Sequence, residues 1–114
     1  MGNGGLMRIR IASGIRGEVV RIGTGAVAKR GCVVTIRFQC TLNRGEIVRA
    51  SIDSFQIGKR EVIAGLERGV IGMRVGGIRK LRISPHLAYR DQAVTGIPPN
   101  AVLDFEVELL DLSD

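Results

Sequence analysis

Long apolar runs are missing from this 114-residue chain, and none approaches the ~20 residues that a membrane-spanning helix requires. The N-terminus likewise lacks the apolar stretch of a signal peptide, so a soluble, cytoplasmic domain is expected. Proline is scarce, with three residues against 16 glycines, which excludes Pro-rich and collagen-like segments and points instead to many turns. Histidine occurs once, at His86, and cysteine twice, so no Cys/His cluster with metal-ligand spacing exists and no metal is expected. No strand–turn–helix frame surrounds a serine as a nucleophile elbow would, and hydrolase chemistry finds no support. At 45% hydrophobic and 25% charged residues, composition excludes disorder and a coiled coil and fits one globular domain.

The two cysteines, Cys32 and Cys40, share a parity with Val34, Ile36 and Phe38 in a segment that reads as one strand. Eight residues at ~3.3 Å each hold them far beyond the ~7 Å limit for a disulfide. They are expected to be free thiols on the core face, in a reducing compartment. Charge is distributed unevenly. Residues 1–90 hold all 17 Lys and Arg with five acids, and residues 91–114 hold six acids and no base. A basic surface for nucleic acid is one reading. The other lays the acidic segment as a strand beside basic ones, neutralising much of the field. With no nucleic-acid motif present, nucleic acid is not expected as the main partner.

Residues 1–6 read as a flexible tail, and 7–114 as a single domain. Met7 to Ile11 and Glu18 to Ile22 read as short strands rich in β-branched residues. Gly23 to Ala28 satisfies the G-x-G-x-x-A dinucleotide pattern, but a new strand follows too soon for the helix that would hold a pyrophosphate. It is a loop. Residues 32–42 alternate most clearly, with Val34, Ile36, Phe38, Cys40 and Leu42 opposed to Thr35, Arg37, Gln39 and Thr41. Asn43 to Gly45 is a turn. The period changes over Glu61 to Gly69, where Val62, Ile63, Leu66 and Val70 fit one helical face with Glu67 and Arg68 outward. Alternation resumes over Ile78 to Ile83 and over 102–112. Between these two lies a long connection, Ser84 to Asn100, a length that is usually functional. The pattern predicts an α+β fold, an antiparallel β half-barrel of about five strands wrapped around one short α-helix, with a lid loop.

The residues of these segments resemble a known family. Val62-Ile-Ala-Gly-Leu-Glu-Arg-Gly69 with Gly72-Met-Arg-Val-Gly76 is similar to the helix and following turn of FKBP-type peptidyl-prolyl cis-trans isomerases. Leu81 to Tyr89 and Ile97 to Leu109 continue the likeness in order, and the upstream part fits through Gly23-Thr-Gly, Lys29-Arg-Gly31, Phe38 and Leu42-Asn-Arg-Gly45. The resemblance spans residues 18–112 and implies an apolar pocket between sheet and helix that grips a proline ring. By position it makes Phe38, Tyr89 and Phe105 the catalytic residues: two aromatic walls and a hydroxyl donor from the lid. Val48, Val62, Ile63, Leu66 and Ile97 become substrate-binding, with Leu66 as floor and the Ile63 N–H bonding a substrate carbonyl. The implied partners are proline-containing peptides or unfolded chains, met by a monomer without cofactor or metal. A proline-peptide binding or chaperone-like module without useful turnover is the alternative.

Such an activity needs no polar constellation. Rotation about a prolyl bond must break amide resonance, over a barrier of ~18–20 kcal/mol. The twisted amide is less polar than the planar one, so a dry pocket favours it. The chain departs from the family pattern at Leu66, where the family has Trp, and at Val48-Arg49, where it has Phe-Asp. Arg90 follows Tyr89 where a glycine is usual, and Asp53 falls near the place of a further aromatic. Arg49 reads as a solvated hairpin charge, and Leu66, Val48 and Arg49 together imply weak macrolide binding and reduced activity.

Overall fold

The computed structural model describes residues 7–92 and 94–114. The expected tail, residues 1–6, lies outside the described residues. Six strands form one antiparallel sheet: β1 Met7–Ala12, β2 Ile15–Arg21, β3 Val33–Leu42, β4 Ile47–Gln56, β5 Ile78–Ile83 and β6 Leu103–Ser113. Their spatial order is β1-β2-β5-β6-β3-β4, an open sheet whose edges are β1 and β4. One helix, α1 Ala64–Val70, covers its inner face.

The alternation read in β3 and β6 is the reason both sit at the centre. Val34, Ile36, Phe38, Cys40 and Leu42 from one strand, with Leu103, Phe105, Val107 and Leu109 from the other, are all buried and meet in register. β5 adds Leu81 and Ile83, and β2 adds Ile15. The opposite faces carry charge, and here the acidic C-terminal segment does lie among basic strands. Glu108 accepts from Arg21 at 3.2 Å and Arg37 at 2.8 Å, and Asp104 accepts from Arg82 Nε at 2.8 Å.

The helix approaches β5 closely because it presents glycine to it. A β-carbon on Gly69 would stand 2.5 Å from Leu81 Cδ1, and one on Gly65 would run into Ile83. Leu66 and Val70 are buried beside this contact. The helix C-terminus is tied to the sheet by the half-buried Arg79 of β5, whose Nη1 donates to the carbonyls of Gly69 (3.0 Å) and Ile71 (2.9 Å). Those carbonyls are among the last of the helix and lack intrahelical partners. Glu67, expected to point outward, instead accepts from the Gly58 N–H and anchors the loop before the helix.

Three sequence expectations change. The sheet has six strands rather than about five, because β4 was not anticipated. The helix begins at Ala64, so Val62 lies in its approach and Ile63 is the N-cap, with extended backbone (φ −58°, ψ 148°). β2 begins earlier, at Ile15. The Gly23–Ala28 stretch is the expected loop, its backbone pairing with Met73 and Val75 rather than starting a helix.

Candidate functional site

The concave face of β3 and β6 gathers the predicted residues. Phe38 lies across from Val107, and Phe105 across from Cys40, so the two phenylalanines are diagonal neighbours on one face. Their ring centroids are 5.8 Å apart with planes tilted by 46°, within the favourable range for aromatic pairs. Both rings retain 6% exposure and Leu66 of the helix 4%, so each is almost wholly buried. Val48, Val62, Ile63, Tyr89 and Ile97 are half-buried and pack on the same apolar cluster. The structure therefore brings all eight predicted residues into one body of apolar contact, three in the core and five along its margin.

The lid is shaped by local hydrogen bonds. Pro85–Leu87 forms a 3₁₀ turn, the Arg90 N–H donates to Pro85 O at 2.9 Å, and the Gln92 N–H donates to Tyr89 O at 3.0 Å. Ile97 is held by its N–H to Val94 O at 2.8 Å. Arg90 has a positive φ of 55°, a conformation that glycine adopts without strain. The loop tip returns to the sheet at Gly96, whose β-carbon position is 4.0 Å from Val48 Cβ. Among the described residues the Tyr89 hydroxyl and the Ile63 N–H have no hydrogen-bond partner.

Nothing in the site is arranged for proton or metal chemistry. Among the described residues no polar residue is buried, and no group of three His, Cys, Asp or Glu is placed to hold a metal. Cys32 and Cys40 are free and buried, as expected. Burial pushes the Cys40 thiol up to about 11; Asp104 adds to the rise and Arg49 opposes it. Such a thiol is no nucleophile at neutral pH.

Sequence reasoning singled out Arg49 and Asp53 but missed the edge strand β4 that sets them with Ser51 on one face. Arg49, Ser51 and Asp53 face Cys40, Phe38 and Ile36 respectively, and therefore share the concave side. The Ser51 hydroxyl donates to Asp53 Oδ1 at 2.8 Å, and Arg49 Nη2 donates to Asp53 Oδ2 at 3.2 Å. The Arg49 guanidinium carbon lies 5.7 Å from the Phe38 ring centroid. Its side chain is 62% exposed, so it meets solvent as expected, yet an acid and an aromatic face hold it. The signal available was alternation of Arg49, Ser51 and Asp53 at period two.

Two surface depressions lie elsewhere. One of about 240 Å³ sits between β1 and the end of the helix, lined by Met7, Val19, Met73 and Arg79 among others. A second of about 360 Å³ opens beside Arg37, Gln39, Ile52 and Glu106 on the outer face. Neither gathers the lid, the helix start and the aromatic pair, which is where apolar walls and free hydrogen-bonding groups converge.

Comparison with known proteins agrees with this geometry. The family described as FKBP-type peptidyl-prolyl cis-trans isomerase matches residues 25–110, and the chain belongs to that family. It is 41% identical over 108 residues to FK506-binding protein 4 of Neurospora crassa, an alignment covering 91% of this chain and 23% of that protein. Against FK506-binding protein 2 of Candida glabrata it is 43% identical over 99 residues, covering 85% of this chain and 66% of the relative. The chain thus spans about a quarter of the length of the first of these relatives. Among solved structures, FkpA from Escherichia coli superposes with a TM-score of 0.82 at 34% identity, over 97% of this chain and 53% of FkpA.

Proposed function

We propose that this chain catalyses cis–trans rotation of Xaa-Pro bonds in proline-containing peptides and unfolded proteins, at the concave site. The observation that carries the reading is the buried Phe38–Phe105 pair in one apolar cluster with Leu66, bordered by a lid whose Tyr89 hydroxyl has no partner among the described residues. In this reading Phe38 and Phe105 wall the proline ring and Leu66 underlies it. Val48, Val62 and Ile97 close the margin. The Ile63 N–H and the Tyr89 hydroxyl donate to peptide carbonyls, holding the chain in a turn while the amide twists. Burial in a site without buried polar groups disfavours the planar, more polar amide and so lowers the barrier.

The two free buried thiols support a reducing, cytoplasmic setting, and in this reading the chain works there in protein folding as a monomer. No helix among the described residues is long and apolar enough to cross a membrane. The ion pairs that β6 makes with Arg21, Arg37 and Arg82 weaken the argument for nucleic acid as main partner. Macrolide affinity is weak in this reading, because Arg49 offers donors where the family supplies an acceptor.

Two-dimensional exchange NMR on short Xaa-Pro peptides tests the proposal. Uncatalysed exchange takes tens to hundreds of seconds, so cross-peaks that appear with catalytic amounts of protein report turnover. They should weaken with Tyr89→Phe and vanish with Phe105→Ala while the fold persists. Proline peptides that bind without any acceleration would establish the recognition module instead.

A further inference from the structure

Three inward positions of β4 carry polar side chains, between half-buried Val48 and buried Phe55, both of which pack on the apolar cluster. Arg49, Ser51 and Asp53 lie on the concave side, while Ile52 opposes Arg37 on the outer face and is 56% exposed. The wall beyond Phe38 is therefore a polar ledge. Its cation is held in place, since the guanidinium rests over the Phe38 ring and one of its five N–H donors reaches Asp53. Both Asp53 oxygens are occupied, by Ser51 and by Arg49. The remaining donors of Arg49 have no partner among the described residues.

We propose that Arg49 is a specificity residue that selects peptides carrying a carboxylate side chain immediately before the proline. This rests on the isomerase reading above, with the proline ring against Phe38. The α-carbon of the preceding residue then stands only ~2.9–3.8 Å from that of the proline, depending on the isomer. A guanidinium 5.7 Å from the centre of the Phe38 ring is within reach of an Asp or Glu side chain at that position. Its bond to Asp53 does not prevent this. Exposed ion pairs are weak, and the guanidinium fork can serve two carboxylates through different N–H groups. A lysine before the proline would face the same cation and be disfavoured.

The test measures acceleration on matched Glu-Pro, Gln-Pro and Lys-Pro peptides, with the parent protein, Arg49→Gln and Asp53→Asn. One exposed charge contact attracts Glu and its like-charge counterpart repels Lys, so a Glu-to-Lys rate ratio of about fivefold is expected at low salt. The ratio should shrink at high salt. Arg49→Gln should bring it near unity, and Asp53→Asn should raise it by freeing the guanidinium. Equal rates for Glu-Pro and Gln-Pro, or a ratio that survives Arg49→Gln, would overturn the assignment while leaving the isomerase intact. Failure to accelerate any of the three peptides would overturn the isomerase reading itself, and the assignment with it.

Discussion

Replacing Gly69 by alanine sets two effects of opposite sign against each other. In an exposed helix the change is favourable by about 0.8–1.0 kcal/mol, because glycine carries the larger backbone entropy cost. Here the new methyl would lie 2.5 Å from Leu81 Cδ1, 3.2 Å from Cδ2 and 3.3 Å from Cγ. Comfortable carbon contacts begin near ~3.5 Å, so the whole Leu81 side chain must move and not only its tip. Leu81 is 2% exposed between neighbours that are themselves buried, and has nowhere to go. The alternative is to lift the helix from the sheet, which strains the bonds from Arg79 to Gly69 and Ile71. Overpacking of this kind costs about 1–3 kcal/mol, and it outweighs the propensity gain. Gly69→Ala should therefore lose about 1 kcal/mol, and at most about 2, in urea unfolding followed by circular dichroism, with the m-value unchanged. Isomerase activity should fall with it, since Leu66 rides on the same helix. The double variant with Leu81→Val isolates the clash. It should be more stable than the two single losses predict, by about 1 kcal/mol of coupling. A Gly69→Ala protein as stable as the parent would refute the account of how the helix is seated.

Arg79→Met keeps the apolar stem but removes both bonds to the helix end, and should cost about 2–3 kcal/mol in the same unfolding assay. The Cys40 thiol should resist alkylation in the native protein at pH 8, where a value of about 11 leaves roughly a thousandth of it as thiolate. Because its folded value is raised, the stability Cys40 contributes is full below its ordinary 9.0 and is lost as pH rises toward 11. The stability gap between the parent and Cys40→Ala should accordingly narrow across that window. Arg90→Gly relieves a left-handed backbone at the cost of chain entropy, and should stabilise the lid by about 0.5–1 kcal/mol, read as slower local hydrogen exchange.

The fold was legible wherever one face of an element is buried and the other is wet. β3 and β6 alternate because they occupy the centre of the sheet, with the helix on one side and solvent on the other. The helix was legible from Leu66 and Val70, although its extent was overestimated. Val62 and Ile63 continue an apolar helical pattern, yet Val62 lies in a bend and Ile63 is the extended N-cap, and both pack at the margin of the apolar cluster. An apolar pattern records burial; it does not record the backbone that delivers it. The same limit applies to the site. Phe38 and Ile36 are both buried on the inner side of β3, and periodicity cannot tell the wall of a pocket from its neighbour in the core. The distinction came from the resemblance, through motifs placed in a fixed order.

β4 escaped notice for a reason that bears on function. As an edge strand it has only one hydrogen-bonded neighbour, and of the residues it turns inward only Phe55 is buried. Its other inward positions, Arg49, Ser51 and Asp53, lie along the open side of the concave face. A strand whose inward residues are polar and whose outward ones include exposed Ile47 and Ile52 reads backwards to any rule that seeks a hydrophobic face. The inversion has a physical basis. Core packing sets the sequence of the central strands, whereas Arg49, Ser51 and Asp53 stand on an edge strand at the rim of the core, where their side chains can meet a ligand. Arg49 is held there over the Phe38 ring by an acid whose own oxygens are both engaged. The part of the sheet that obeyed the packing pattern least is thus the part whose side chains are best placed to discriminate one proline-containing chain from another.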